Sequence, residues 1–369
     1  MQNFNLKTDV HFGAGSLDCL KSLKGEKAFI VTDEMMQKLG FVDKIAVLLQ
    51  GAGFSYTTFR DVKPDPDIKM VTAGLKQMVA DMPDIIIAIG GGSVIDTAKG
   101  ILYSYAKMHH ESELKRPKLI AIPTTSGTGS EVTAFSVITV NGEKLCLVDD
   151  LMIPDYAIVD PDFVKSVPAS VTAETGLDAL SHAIEAYVST DATDFTDALA
   201  EKAIKLLFDY LLPTYRDGND MVAREKVHHA SCMAGIAFTN ASLGITHSIA
   251  HAIGGLFHLP HGRAIGILLS HVIDYNASVA MKKYAKLAQA IGLPAQTERE
   301  GCENFIRAIR VLLGELNVPD KFSSYQMGKA TYQGKLTTIA ELALADNCTP
   351  TNPRIPDAKD IIRLANNAY

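Results

Sequence analysis

Several features are scarce in this sequence of 369 residues. Its five cysteines are scattered and include no CxxC pair, which indicates a reducing cytoplasm and argues against a disulfide framework. Positive charge is not in excess, since the net charge is −7, so no nucleic-acid or anionic membrane partner is expected. No apolar run approaches the roughly 20 residues of a membrane helix, and residues 1–20 lack the apolar region of a signal peptide. We therefore expect a cytoplasmic protein.

What is present is typical of a globular enzyme, with 47% hydrophobic and 21% charged residues. A chain of 369 residues is longer than one core usually spans, so two domains are predicted. The pattern changes near residue 168, where strand signals end and long apolar helical stretches begin. The predicted boundaries are 1–169 for an α/β domain and 170–369 for an all-helical domain.

The first half alternates buried strands with helices, which predicts a parallel sheet covered on both faces. Its predicted strands are 27–33, 54–59, 84–89, 119–122 and 156–160, and its predicted helices are 34–50 and 68–80, with Asp67 as the N-cap of the second. Residues 134–140 and 143–148 are rich in β-formers and are joined by Asn141-Gly142, a strong signal for an antiparallel hairpin.

A carboxylate and several histidines recur at helical spacing in the second half. Asp178 and His182 are four residues apart, His247 and His251 repeat that spacing, and His261 follows a short turn. A single histidine on an apolar helix is more often a core residue, but two such pairs and a further histidine favour a metal site. One carboxylate and three of these four imidazoles would suit iron(II) or zinc.

Two loops of the first half have the composition of a cofactor site. Gly90-Gly91-Gly92-Ser93 joins a strand to a helix, as pyrophosphate-binding turns do, although many such turns are glycine-rich only for packing. Residues 123–131, which follow the next strand, are dense in hydroxyls and glycine. Asp33 ends the first strand and could accept a hydrogen bond from an adenosine ribose; a simple N-cap is an equally good interpretation.

Four segments together resemble the iron-containing (group III) alcohol dehydrogenase family. They are GGGSVIDTAKG from Gly90, PTTSGTGSEVT from Pro123, GLDALSHAIEAY from Gly176 and HSIAHAIGGLFHLPHG from His247, and Asn352-Pro353-Arg354 is similar as well. Within that family, the stretches around Asp194 and Phe257 resemble the 1-propanol dehydrogenases of propanediol-utilisation microcompartments.

The resemblance implies a dehydroquinate-synthase-like dinucleotide-binding domain, an all-helical metal-binding domain, and roles for individual residues. It implies a metal site for Fe²⁺, with Zn²⁺ as the alternative, whose ligands are Asp178, His182, His247 and His261. His251 is then a proton relay near the nicotinamide of NAD(H). The implied cofactor contacts are Asp33, Asp65, Gly91, Gly92, Ser93, Thr124, Thr125, Thr128 and Lys144, and Asp33 favours NAD over NADP.

The reaction that follows is hydride transfer between NAD(H) and a short-chain primary alcohol or aldehyde, with the metal as a Lewis acid on the substrate oxygen. Phe135, Phe238 and Cys348 are candidates for an apolar substrate pocket, or else they only pack the core.

One alternative is an NAD-binding lyase or cyclase of the dehydroquinate synthase type. Such an enzyme needs a basic phosphate site, and only Arg263 is cationic near His247–Gly262. Another is a protein with a purely structural metal. A homodimer or a higher homo-oligomer is expected, and encapsulation in a microcompartment would add microcompartment components as partners.

Overall fold

The structure is a computed structural model that describes residues 3–108, 116–140, 143–325 and 327–369. The chain divides into two compact units, Asn5–Val167 and Pro168–Tyr369, and Phe4 belongs to the second. The ring of Phe4 stacks on that of Phe195 with 5.5 Å between centroids. The predicted turn Asn141-Gly142 lies outside the described residues, and the functional limits 1–169 and 170–369 stay a prediction.

The first unit is built on a six-stranded parallel sheet in the order β1-β8-β5-β4-β2-β3, with β6 and β7 as a separate antiparallel pair. Its strands are β1 (Asp9–Phe12), β2 (Lys27–Val31), β3 (Ser55–Phe59), β4 (Ile85–Gly90), β5 (Lys118–Pro123), β6 (Phe135–Val140), β7 (Glu143–Val148) and β8 (Tyr156–Val159). Its helices are α1 (Glu34–Lys38), α2 (Phe41–Gly51), α3 (Ile68–Asp81) and α4 (Gly92–Met108).

Strand β4 shows why the sheet is covered on both faces. Ile85, Ile87 and Ile89 pack in the core cluster that includes the apolar side of α2. Ile86 and Ala88, which point the other way, pack in the cluster that includes α3 and α4. Successive side chains of a strand alternate between faces, so a strand of apolar residues alone needs helices on both sides. The predicted parallel sheet is confirmed.

Two details differ from the sequence prediction. The helix predicted over 34–50 is two helices, because Gly40 adopts a left-handed φ of 72° between α1 and α2. Apolar periodicity runs through Leu39 and cannot reveal that break. Strand β1 was not predicted; it is short and pairs in parallel with β8. Asp67 caps α3 as predicted, since its Oδ1 accepts from Met70 N at 2.9 Å.

In the second unit the described residues form helices joined by turns, and the predicted combination of an α/β unit with an all-α unit is confirmed. The helices are α5 (Ala169–Val188), α6 (Asp194–Arg216), α7 (Met221–Ala241), α8 (Ile245–Phe257), α9 (His261–Ala290), α10 (Glu298–Glu315), α11 (Lys329–Gly334), α12 (Leu336–Ala345) and α13 (Ala358–Ala368).

Helix α9 is long and apolar enough to cross a membrane, contrary to the expectation that no apolar stretch approaches that length. Of the most apolar 18 residues of this helix, 67% are buried, as in a helix at the core of a soluble protein. Its apolar side packs with α8, α12 and α13 in a core cluster that includes Ile265, Leu268 and Val272. The composition of α9 therefore reflects its position inside the helical unit.

Candidate metal centre and cofactor loops

Asp178 and His182 lie on one face of α5, as their spacing predicts. Residues 176–188 of this helix are buried, so both side chains point into the interior of the helical unit. His182 Nε2 lies 3.7 Å from Asp178 Oδ1. A carboxylate and an imidazole one helical turn apart are thereby brought to the same point.

Two further imidazoles reach the same carboxylate oxygen. His247, on the first turn of α8, has Nε2 at 3.6 Å from Asp178 Oδ1, and His261, the first residue of α9, has Nε2 at 3.3 Å. The rings of His182 and His247 stack with 4.6 Å between centroids. The three histidines thus lie 3.3–3.7 Å from Asp178 Oδ1, but the tighter group of possible metal ligands contains Asp178, His247 and His261 and not His182.

Hydrogen bonding within this cluster is incomplete. Asp178 Oδ1 and His247 Nε2 are buried and have no hydrogen-bond partner among the residues that the structure describes. A buried polar atom without a partner costs about 1–3 kcal/mol. One ligand atom each from Asp178, His247 and His261 lie within 4.8 Å of one another. A cation among them would satisfy both unpartnered atoms, so the donor set fits a metal.

Burial and charge set the protonation of these groups. Burial would raise the pKa of Asp178, but His182, His261 and His247 outweigh it and hold that pKa well below its usual value. Burial lowers the pKa of His182 to about 4, so its ring is neutral at pH 7. Burial also opposes protonation of His247, yet Glu185 and Asp178 raise its pKa to about 9. Metal binding there would displace a proton.

Gly262 explains how α9 brings His261 close to α5. A Cβ at this position would lie 2.3 Å from the backbone oxygen of Glu174, which precedes Asp178 by one helical turn. No side chain fits at that distance, so only glycine allows the start of α9 to approach α5. Arg263 fixes the same junction, because its Nε donates to Glu174 Oε1 at 2.6 Å.

Glu185 is a residue of this site that the sequence analysis did not identify. It is 3% exposed, and its Oε2 lies 2.5 Å from His247 Nδ1. Its Oε1 accepts from Thr246 N at 2.7 Å. Burial would raise the pKa of Glu185, but His247 and the Thr246 N–H lower it below the usual value. A charged residue seven positions after Asp178, within an apolar run, was the signal that could have found it.

His251 has a different environment from the four predicted ligands. Its Nδ1 lies 2.8 Å from Asp346 Oδ2, and its ring stacks on His261 with 5.2 Å between centroids. Asp346 Oδ1 accepts from the backbone N of Cys348 at 2.8 Å. The hydrogen bonds of Asp346 with His251 and Cys348 hold its pKa below the usual value against burial. Asp346 was also missed, since nothing local in its sequence marks it.

The glycine turn and the hydroxyl-rich loop of the sheet unit lie against each other. A Cβ at Gly92 would lie 2.8 Å from Cγ2 of Thr128, and one at Gly91 would lie 3.5 Å from Thr125. Thr124 N donates to Gly90 O at 3.0 Å across the parallel strands β4 and β5. Gly91, Gly92, Ser93, Thr124, Thr125 and Thr128 therefore form one surface at the carboxyl ends of β4 and β5, where ligands of open α/β sheets bind.

Three other predicted cofactor residues already form hydrogen bonds or ion pairs within the protein. Asp33 caps α1, because its Oδ1 accepts from Met35 N at 2.8 Å and Met36 N at 3.0 Å. Both bonds use the same oxygen, so capping leaves Oδ2 for a ribose. Asp65, which has a left-handed φ of 54°, forms an ion pair of 2.5 Å with Lys144. A cofactor that contacts either residue would compete with this pair.

A buried ionic group behind these loops was missed in the sequence. Lys99 of α4 is fully buried, and its Nζ donates to Ser130 Oγ at 2.9 Å, Thr133 Oγ1 at 3.1 Å and Phe135 O at 2.8 Å. Burial lowers the pKa of Lys99 to about 8. The nearby Glu131 is 2% exposed, and burial raises its pKa to about 7. Lys99 thereby ties the end of the hydroxyl-rich loop to α4.

The three candidate pocket residues have distinct positions. The ring of Phe238, on α7, lies 4.4 Å from that of His182 between centroids. Cys348 is bonded through its backbone N to the carboxylate that holds His251. Phe135 begins β6 in the sheet unit. Phe238 and Cys348 thus border the histidine cluster within the helical unit.

Comparison with known families agrees with this arrangement. Residues 172–369 match the carboxyl-terminal part of the Fe-containing alcohol dehydrogenase family, and residues 7–161 match iron-containing alcohol dehydrogenase. The chain belongs to the iron-containing alcohol dehydrogenase family. It is a metal-dependent alcohol dehydrogenase and therefore an oxidoreductase, as the motifs predicted.

Curated relatives of this alcohol dehydrogenase match along its whole length. The 1-propanol dehydrogenase PduQ of Citrobacter freundii is 43% identical, over 99% of this chain and 99% of that protein. The NADPH-dependent butanol dehydrogenase of Clostridium saccharobutylicum is 42% identical, over 96% and 94%. The aldehyde-alcohol dehydrogenase 2 of Entamoeba histolytica is 41% identical, but the chain spans only 47% of it. These relatives favour the dehydrogenase over the lyase alternative.

Several solved structures have the same fold as this chain. A 1,3-propanediol oxidoreductase is 34% identical with a TM-score of 0.93, over 100% of both chains. The iron-containing alcohol dehydrogenase from Thermococcus thioreducens is 32% identical with a TM-score of 0.92, over 100% and 99%. A sulfoacetaldehyde reductase from Bifidobacterium kashiwanohense, solved in complex with NAD⁺, is 26% identical with a TM-score of 0.89, over 100% and 98%.

Proposed function

We propose that this alcohol dehydrogenase transfers a hydride between NAD(H) and a short-chain primary alcohol or aldehyde, such as 1-propanol or propanal. In this proposal residues 1–169 bind the cofactor, and residues 170–369 hold Fe²⁺ through Asp178, His182, His247 and His261. The observation that carries it is the pair of buried, unpartnered atoms, Asp178 Oδ1 and His247 Nε2, beside two further imidazoles.

The ligand residues have the properties that a divalent cation needs. Asp178 contributes a negative charge, which its histidine neighbours keep ionised, and His182 contributes a neutral ring at pH 7. Nitrogen and oxygen donors suit iron(II), and zinc(II) would also be accepted. A cation bound there supplies a Lewis acid for the substrate oxygen, and bound NAD(H) supplies the hydride acceptor or donor.

His251 is proposed as the group that moves the proton of the alcohol. Its Nδ1 is committed to Asp346, so the proton would be held and released at Nε2. Phe238 and Cys348 border the same cluster within the helical unit, and they are proposed to form an apolar wall for the substrate. Such a wall favours a short aliphatic chain without a second polar group. The similarity to a 1-propanol dehydrogenase and to a butanol dehydrogenase supports substrates of this size.

NAD is proposed as the preferred cofactor because of Asp33. Its carboxylate would accept a hydrogen bond from a ribose hydroxyl and repel a 2′-phosphate. Relatives of this chain include a butanol dehydrogenase named as NADPH-dependent and a reductase solved in complex with NAD⁺, so the preference is argued from Asp33 itself. The glycine turn at residues 91–93 and Thr124, Thr125 and Thr128 are proposed to hold the pyrophosphate, with Asp65 and Lys144 at the adenosine side.

The assay that tests this function measures oxidation of NADH against a panel of small aldehydes under anaerobic conditions, together with the bound metal. Propanal is expected to be reduced in proportion to the metal content, and NADPH to be used less well. The variant His261→Ala should lower metal content and activity together while the protein stays folded. Unchanged metal content would remove His261 from the ligand set. A folded, metal-loaded chain that turns over no aldehyde would leave only a structural metal.

The cellular setting belongs to the same proposal. We infer a cytoplasmic homodimer, and the similarity to PduQ supports encapsulation in a bacterial microcompartment with shell components as partners. Light scattering of the purified protein tests the dimer. Co-purification with intact microcompartments tests the encapsulation.

A further inference from the structure

The first turn of α8, which carries His247, receives no cap from its own N-cap residue. That residue is Gly244, which has no side chain to offer. The first N–H groups of any helix lack partners within the helix. Here two side chains from other elements accept from them: Glu185 Oε1 bonds Thr246 N at 2.7 Å, and Asn352 Oδ1 bonds Ile245 N at 3.3 Å. The start of α8 is therefore held by α5 and by the segment that follows α12.

The glycine at the N-cap is itself part of this arrangement. A Cβ at Gly244 would lie 2.7 Å from Asn352 Oδ1 and 3.0 Å from Glu185 Oε1. Both acceptors can reach the backbone of α8 only because no side chain stands between them. Asn352 is in turn held by a reciprocal pair of bonds with Asn276, at 2.8 and 3.1 Å.

The second oxygen of the same glutamate acts on the histidine. Glu185 Oε2 lies 2.5 Å from His247 Nδ1, and both side chains are buried. An ionised carboxylate only accepts hydrogen bonds, so Nδ1 must carry the hydrogen and donate it. In the neutral ring this leaves the lone pair on Nε2, which lies 3.6 Å from Asp178 Oδ1. A metal ligand needs its lone pair on that nitrogen.

We propose that Glu185 is a positioning residue of the metal centre, because one carboxylate fixes both the start of α8 and the tautomer of His247. This inference rests on the proposed function, since it gives His247 the role of a ligand. A glutamate that only capped α8 would bond the backbone and leave the His247 ring able to adopt either tautomer. The two oxygens of Glu185 instead divide these tasks.

The variant Glu185→Gln separates the two tasks. Its amide oxygen can still accept from Thr246 N, but its NH₂ group would face His247 Nδ1 and favour the tautomer protonated at Nε2. The affinity of the metal-free protein for Fe²⁺ or Zn²⁺, measured by competition with a chelator, should fall about 10- to 100-fold. The control Asn352→Ala removes the other cap without touching His247, and its affinity should stay within about threefold of wild type.

A second measurement reads the tautomer directly. Histidine-selective ¹⁵N spectra of the metal-free wild-type protein, in alkaline buffer where the ring is neutral, should show His247 protonated at Nδ1. Glu185→Gln should shift that signal, and Asn352→Ala should not. Equal metal affinity of wild type and Glu185→Gln would overturn the proposal. A wild-type His247 ring protonated at Nε2 would also overturn it, and this second measurement does not depend on the folding of any variant. A wild-type chain that binds neither metal contradicts the proposed function instead, and the spectra then still decide the tautomer.

Discussion

His251 Nδ1 donates to the carboxylate of Asp346: Nδ1 lies 2.8 Å from Asp346 Oδ2, while Asp346 Oδ1 accepts from the backbone N of Cys348. The His251 ring stacks on His261, but its carboxylate partner follows α12 and lies on none of the helices that carry the four predicted ligands. If His251 moves the proton of the alcohol as proposed, this pair keeps that role apart from the binding of the cation. It also gives His251 a fixed orientation that does not depend on a bound metal.

We predict that His251→Gln keeps the metal and loses turnover. The glutamine amide can still donate to Asp346, but it cannot carry a proton near neutral pH. Loss of a general acid–base group typically costs about 10²- to 10⁴-fold in rate, so kcat should fall within that range and its pH dependence should change. Metal analysis and kcat measured across pH check both parts. An unaltered pH–rate profile would remove the relay role from His251.

Asp33→Gly should weaken the preference for NADH over NADPH. Removal of the carboxylate takes away its repulsion of a 2′-phosphate, and the ratio of kcat/KM for NADPH to that for NADH should rise about tenfold. Glycine is a tolerable N-cap and costs only a few tenths of a kcal/mol, so α1 should persist. Asp220→Gly removes the equivalent cap from α7, bonded to Ala223 N at 2.9 Å, and should not change the ratio. An unchanged ratio in Asp33→Gly returns that residue to capping alone.

Gly262→Ala should damage the metal centre through the backbone. Its new methyl group would lie 2.3 Å from Glu174 O, so α9 must move away from α5 and carry His261 with it. We expect a loss of about 1–3 kcal/mol in the free energy of unfolding, measured in urea, together with lower metal affinity. Gly255→Ala, in α8 with no atom within 4 Å of the new methyl, should instead stabilise by about 0.5–1 kcal/mol. Equal effects of the two substitutions would contradict the close approach.

Glu131→Gln should change how stability depends on pH. The pKa of Glu131 is raised from 4.5 to about 7 by burial, so between these values the folded protein binds more protons than the unfolded chain. Wild-type stability therefore falls as pH rises through this window, by about 3 kcal/mol for a shift of this size. Glutamine at this position does not titrate, so the free energy of unfolding of the variant, relative to that of wild type, should rise from pH 4.5 to 7. Urea midpoints measured across that range check it; a constant difference would refute the buried titration.

The sequence was most informative where a pattern is local. The spacing of Asp178 with His182 and of His247 with His251 predicted two helical faces, and both helices are present. Alternating strands and helices predicted the parallel sheet for the same reason. Gly40 was missed because apolar periodicity carries no information on φ. The sequence therefore predicted most elements, and it missed a break that depends on one backbone angle.

Contacts between distant residues were harder to predict. Glu185 and His247 are 62 residues apart, and His251 and Asp346 are 95 apart. No spacing rule links such pairs, so the outer hydrogen bonds of the site appeared only in the structure. Lys99 was hidden for a related reason, since its three acceptors follow 31 to 36 residues later. The candidate ligands could be named from the sequence, but the groups that orient them could not.

The pairing of β1 with β8 has a consequence for synthesis on the ribosome. Thr8, just before β1, bonds Pro154 O although 146 residues separate them. Among the strands of this sheet, β1 is synthesised first, and its partner β8 is synthesised last. Contacts so far apart in the chain form slowly because a long loop must close first. Until then the nascent amino-terminal segment has an unpaired strand edge, which makes this segment a candidate for chaperone binding during translation.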